Sequence, residues 1–307
     1  MKLAGIVTLP DLEPSQIPLW RQVLRGFSQC AFQANETTAL FFLAAASLFN
    51  WRMGVAYVVS VVLATLVAKL LRGQADLLGL GLFGFNSGLM GLALASFFQP
   101  NTALVLWVPV LAIVVAAVSV AMARWLPVPF LAAPFISVFW LVWPLADVMG
   151  LEKVVLHPFG DARVWFVEAT VAALGATLFC SGPWVGLLFL AGVLVSNWRH
   201  AVVALLGALL AASIAAHVGA KGEAINSGFV GFNAVLGALA TYELVAADLR
   251  LAALAALFAT WIGSYVGRHW PAPALASGFV LTVWVILLLG WLNSRFNAPA
   301  PQPAEQK

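Results

Sequence analysis

Charge is what this sequence has least of. Lys, Arg, Asp and Glu make up 9% of its 307 residues, while 63% are hydrophobic and the mean hydropathy is +0.99. A soluble domain carries roughly 25% charged residues. No water-soluble fold hides that much apolar surface, so soluble globular classes are excluded. The net charge of +3 includes no Lys/Arg block, which argues against a nucleic-acid partner. Cysteine is also scarce. Cys30 and Cys180 both sit in apolar runs and read as small packing residues, because a lone pair gives almost no support to a disulfide or metal site. No His-Glu-x-x-His spacing and no intelligible Ser/His/Asp arrangement appears, so no metal, cofactor or enzymatic activity is expected. Residues 1–20 carry Asp11 and Glu13 and lack a basic-then-apolar leader, and are expected to stay on the mature chain.

What is abundant is long apolar runs. Ten approach the length of about 20 residues that spans a bilayer as a helix. The first five are 26–49, 53–71, 79–98, 103–123 and 127–148, and the second five are 170–196, 200–219, 226–246, 249–267 and 272–295. This divides the chain into an N-terminal segment (1–20), a first unit (21–148), a polar linker (149–165), a second unit (166–296) and a Pro-rich, disordered tail (297–307). Lys and Arg are spread too evenly over the loops to fix the orientation, and both termini are placed inside.

The two units are copies. Phe32, the run Leu40–Ala44 and Asn50-Trp51-Arg52 lie over Phe179, Leu187–Ala191 and Asn197-Trp198-Arg199, 147 residues on. The same offset carries Gly84-Phe85-Asn86 and Leu89 onto Gly231-Phe232-Asn233 and Leu236. At an offset of 144, Arg124…Pro127-Val128-Pro129…Phe135…Trp140 lies over Arg268…Pro271-Ala272-Pro273…Phe279…Trp284. An odd number of crossings per copy inverts the second copy, and sites in such folds lie near the midplane between the repeats. The expected class is therefore an all-α integral membrane protein of ten transmembrane helices, in two inverted five-helix repeats with broken or re-entrant half-helices.

Gly84-Phe85-Asn86-Ser87-Gly88 and Gly231-Phe232-Asn233 read as such breaks, since glycine weakens a helix and an Asn amide satisfies exposed backbone groups. Pro127 with Pro129, and Pro271 with Pro273, mark a second break in each copy. Phe32, Phe85 and Leu89, with Phe179, Phe232 and Leu236, recur in register beside these breaks. A slot of such side chains admits a small planar solute and rejects hydrated ions, which it cannot resolvate.

The run Arg25–Asn35, the Leu-Phe-Gly-Phe-Asn-Ser-Gly-Leu motif at 82–89 and the Leu-Pro-Val…Pro-Phe run at 126–135 resemble the urea transporter family over nearly the whole chain. The resemblance implies a multi-pass protein of the cell membrane, of the bacterial inner-membrane kind, forming a homotrimer with a separate channel in each protomer. It implies that Phe32, Phe85, Leu89, Phe179, Phe232 and Leu236 form slots around the plane of urea, and that Gln29 is the amide ahead of the first slot. Three positions depart from the family pattern: the mate of Gln29 is Ala176, and the two hydroxyl positions are Ala132 and Ala276.

The function expected is passive passage of urea or a related small neutral amide. An ion-coupled secondary transporter is the alternative, and it would draw on Glu36, Glu168 or Glu243, none of which repeats at 147. Ammonia conduction finds little support, because His157, His200, His217 and His269 all fall in or beside the expected loops.

Overall fold

The structure is a computed structural model describing residues 9, 12–155 and 157–296; the tail 297–307, and residues 1–8 and 10–11 of the N-terminal segment, lie outside the described residues. Among the described residues the chain forms fourteen α-helices and no β-strand. The first seven are α1 (Leu19–Ser28), α2 (Glu36–Phe49), α3 (Trp51–Leu70), α4 (Ala75–Gly79), α5 (Leu82–Phe97), α6 (Thr102–Trp125) and α7 (Ala133–Leu145). The next seven are α8 (Phe166–Ala176), α9 (Pro183–Ser196), α10 (Trp198–His217), α11 (Gly222–Asn226), α12 (Phe232–Leu244), α13 (Leu249–His269) and α14 (Ser277–Phe296). The bounds of α2, α3 and α4 recur 147 residues on in α9, α10 and α11.

Five helices, α3, α6, α10, α13 and α14, are long and apolar enough to cross a membrane. The other five expected crossings hold shorter helices, and the reason is local. In 26–49, α1 ends at Ser28, a 3-10 turn follows at Gln29–Ala31, and the chain reverses at Phe32 before α2 starts. In 127–148 the prolines keep the chain non-helical until Ala133, and the 13 residues of α7 rise only about 20 Å against a hydrocarbon core of about 30 Å.

One expected break is displaced. Gly84–Gly88 lies inside α5, which runs unbroken, and the chain turns before it at Gly81. Gly81 and its mate Gly228 have φ of 79° and 82°, and a Cβ there would lie 2.4 Å from Gly26 N or 2.3 Å from the Ala172 carbonyl carbon. The glycines within α5 serve close helix packing instead: a Cβ on Gly88 would lie 2.5 Å from the Tyr57 ring. In the second half the helix begins at Phe232, directly after Gly231.

Polar corners close the long helices. Asn50 alone separates α2 from α3, and its Oδ1 accepts the Arg52 N–H at 3.0 Å; Asn197 does the same for Arg199 at 3.0 Å. The halves meet along α2 and α9, where Phe42 stacks on Phe189 at 4.4 Å and 6° and the Thr38 hydroxyl donates to the Gly192 carbonyl at 2.7 Å. Outward faces are apolar: Val105 and Leu106 on α6 and Trp261 on α13 are 72%, 63% and 62% exposed. Together with the five spans, that surface makes the chain a multi-pass membrane protein.

Candidate functional site

The site is built from the ends of the short helices. Phe32 and Phe179 both have φ of 60°, and Leu131 and Leu275 have φ of 48° and 50°. A side-chain-bearing residue in the left-handed region costs on the order of 1 kcal/mol and persists only where the surroundings over-determine it. Here the chain reverses sharply without glycine, which keeps a large apolar side chain at each reversal.

Asn86 and Asn233 hold two of these reversals. Asn86 Nδ2 donates to the Leu131 carbonyl at 2.9 Å and its Oδ1 accepts the Phe135 N–H at 3.2 Å. Asn233 repeats both bonds with Leu275 at 3.0 Å and Phe279 at 3.0 Å. Each Asn therefore pins the residue pair 131–132 or 275–276, fixing Ala132 and Ala276, which are both buried.

Aromatic rings pair between the halves. Phe32 meets Phe279 edge-on at 6.4 Å and 89°, and Phe179 meets Phe135 edge-on at 6.0 Å and 83°. Trp140 Nε1 donates to the Pro273 carbonyl at 2.9 Å, while its mate Trp284 donates to the Pro129 carbonyl at 2.9 Å. Phe85 lies parallel to Phe130 at 6.4 Å and 14°, but the corresponding neighbour of Phe232 is Ala274, which has no ring. Leu89 and Leu236, one helical turn beyond Phe85 and Phe232, are buried on the same helix faces.

A cavity of about 600 Å³ opens where the ring is missing. Ala176, Phe179 and Phe232 line it, together with Phe97 and the polar residues Ser96 and Asn233. Gln29, Phe32, Phe85, Leu89, Leu236, Ala132 and Ala276 do not line this cavity. Gln29 is buried on the 3-10 turn ahead of Phe32, and its Nε2 donates to the Leu80 carbonyl at 2.9 Å. That bond fixes the amide orientation and leaves the carbonyl Oε1 as the acceptor not engaged within the described residues.

The carboxylates considered for ion coupling are differently disposed. Glu36 is buried and accepts from Arg21 Nε at 2.6 Å and Arg25 Nε at 2.8 Å. Glu168 lies on the exposed first turn of α8. Glu243 Oε2 is 3.2 Å from His200 Nε2. His200 is not a solvated loop residue: it is buried in the first turn of α10, with Gln33 Nε2 at 2.7 Å from its Nδ1. Its burial was hidden in the sequence because its partners, Gln33 and Glu243, are distant in the chain. Phe135 and Phe279, whose recurrence at 144 the sequence shows, are the rings that meet Phe179 and Phe32.

A profile described as "Urea transporter" matches residues 20–291. Urea transporter 1 of Rattus norvegicus is 26% identical over 295 residues, covering 87% of this chain and 76% of that protein. Urea transporter 1 of Mus musculus is 27% identical over 304 residues, covering 88% and 77%. That of Ovis aries is 26% identical over 323 residues, covering 92% and 79%. With a family match over residues 20–291, most of its length, this chain belongs to the urea transporter family.

Proposed function

We propose that the chain conducts urea passively, without ion coupling, along a passage bounded by Phe32, Phe85 and Leu89 in one half and Phe179, Phe232 and Leu236 in the other. The chain is a transporter and not an enzyme, as family membership implies. The observation that carries the reading is the reciprocal pair of slots, Phe32 on Phe279 and Phe179 on Phe135. Contacts that exchange partners in this way are what a two-fold relation between copies produces. The same relation supports ten membrane passes in two inverted repeats, 21–148 and 166–296, joined by the linker 149–165. Short helices such as α7 then cover only part of the bilayer, and the non-helical backbone before them completes the pass buried in protein.

Selectivity follows from the chemistry of the walls. Apolar rings cannot replace the hydration shell of an ion, but a flat neutral amide loses little there if its N–H groups find acceptors. Gln29 Oε1 supplies one such acceptor, while Ala176, Ala132 and Ala276 supply none by side chain. The assembly proposed is a homotrimer with one passage per protomer, in the inner membrane of a cell. No observation favours the ion-coupled alternative: Glu36 is held by two arginines, and the three carboxylates occupy unrelated positions in the repeat.

Urea uptake into proteoliposomes tests the reading. Uptake should exceed that of empty liposomes and should not respond to an imposed proton or sodium gradient. Uptake equal to that of empty liposomes, or driven by either gradient, overturns it.

A further inference from the structure

The two mouths of the passage differ in charge. Met53 and Ser96 line the cavity beside Phe179. The residues 147 positions after them are His200 and Glu243, and Phe32, the mate of Phe179, is followed directly by Gln33. Gln33, His200 and Glu243 form one connected chain of contacts. The repeat thus sets a carboxylate and an imidazole at the mouth of the Phe32 slot, where the opposite mouth has a hydroxyl and a thioether.

The hydrogen bonds set the roles. Gln33 Nε2 donates to the Ala31 carbonyl at 2.8 Å and also lies 2.7 Å from His200 Nδ1. An amide nitrogen carries only donors, so Nδ1 accepts and the ring proton sits on Nε2, facing Glu243 Oε2 at 3.2 Å. The His200 ring packs edge-on against Tyr242 at 5.8 Å, which fixes its plane. His200 is thereby a positioning residue for the Glu243 carboxylate, whose side chain is 48% exposed. Arg199, the adjacent cation in sequence, lies over the Trp198 ring at 5.6 Å.

We propose that Glu243, positioned by His200, makes the Phe32 mouth a binding site for small planar cations of the guanidinium class, which dock there and block the passage from that side. The inference rests on the urea reading above, because it assigns this mouth to the same passage. Guanidinium shares urea's flat three-armed shape but carries a charge. A carboxylate takes two parallel N–H donors from such a group. The apolar slot beyond then refuses the ion, since nothing there compensates for its lost hydration. Urea binds the same carboxylate without the charge and moves on. Ser96 at the other mouth offers no charge to hold the cation.

Two measurements on the full-length protein separate this inference from the transport reading. Equilibrium binding of radiolabelled guanidinium to purified protein needs no flux, and wild type should bind about one per protomer, with potassium chloride held at equal ionic strength. Glu243→Gln should weaken that binding about tenfold, in line with loss of a charge partner near a protein surface. His200→Met, which installs the residue of the opposite mouth, should weaken it less. In proteoliposomes guanidinium should inhibit wild-type urea uptake saturably, and the half-inhibiting concentration should rise by the same factor in Glu243→Gln, each protein compared with its own uninhibited rate. Absence of binding to wild type, or equal binding to wild type and Glu243→Gln, overturns the inference even if urea uptake is robust. Binding lost in Glu243→Gln while wild type carries no urea supports the cation site and defeats the transport reading instead.

Discussion

Replacing Asn86 by leucine tests whether the reversal before α7 is held by a side chain or merely accompanied by one. Leucine is close in size and better suited to apolar surroundings, so a packing role alone would leave the protein unharmed or slightly stabilised. The hydrogen bonds predict the opposite. Asn86 is fully buried, and its removal orphans two backbone groups, the Leu131 carbonyl at 2.9 Å and the Phe135 N–H at 3.2 Å. Each unsatisfied buried group costs about 1–3 kcal/mol, so the pair is worth about 2–6 kcal/mol against a much smaller apolar gain. Asn86→Asp separates the two bonds: it keeps the acceptor for Phe135 N–H but sets a carboxylate oxygen against the Leu131 carbonyl. The readouts are the thermal midpoint of purified protein in detergent and urea uptake in proteoliposomes. Asn86→Leu should melt well below wild type, and its surviving folded fraction should carry less urea, because Phe135 meets Phe179 edge-on beside the proposed passage. Asn233→Leu should repeat the loss through Leu275 and Phe279. A melting midpoint for Asn86→Leu equal to wild type would refute the reasoning, because among the described residues no other polar side chain satisfies these two backbone groups.

The crossed tryptophans give a second test. Trp140→Phe and Trp284→Phe each remove one bond to a proline carbonyl, worth about 0.5–1.5 kcal/mol, and their melting shifts should be similar and additive; a shift from only one of them would show that the reciprocal bonds are not equivalent. Gln29→Ala should lower urea uptake severalfold while leaving melting little changed, since only the Leu80 bond is lost from the fold; unchanged uptake would remove Gln29 from the passage. Ala176→Gln should raise uptake, because the position borders the cavity and is the mate of Gln29; uptake unchanged in a folded variant would show that an acceptor at this mouth does not limit passage.

Hydropathy made the long helices α3, α6, α10 and α13 legible, because each is one apolar run between polar corners such as Asn50 and Asn197. It failed inside 26–49 and 170–196 for a physical reason. The reversals there use apolar residues, Phe32 and Phe179, in a left-handed conformation; Gly182-Pro183 marks the start of α9 in the second copy, but no Gly or Pro stands between Phe32 and α2 in the first. The opposite error arose at Gly84 and Gly88, where glycine was read as a break but serves close packing within α5. Sequence reports that a side chain is absent, not whether the space is taken by a turn or by a neighbouring helix. The role of Asn86 was equally hidden: an amide was expected to satisfy its own broken helix, and it satisfies a segment 45 residues away.

Duplication constrains the two kinds of position differently. Residues that hold the chain's path agree between the halves: the caps Asn50 and Asn197, the clamps Asn86 and Asn233, and the crossed Trp140 and Trp284. Each of these satisfies the corresponding backbone group in both copies, so a change in either copy leaves that group without its side-chain partner. Residues around the mouths disagree: Gln29 against Ala176, Phe130 against Ala274, Met53 against His200 and Ser96 against Glu243. In the proposed arrangement these positions border the passage, so the penalty for changing them is set largely by what passes. The two mouths open on different compartments in the proposed arrangement, so a symmetric frame with unlike ends is what selection on a two-sided passage produces. The 600 Å³ cavity at the Phe179 end and the charged network at the Phe32 end are where that difference is concentrated.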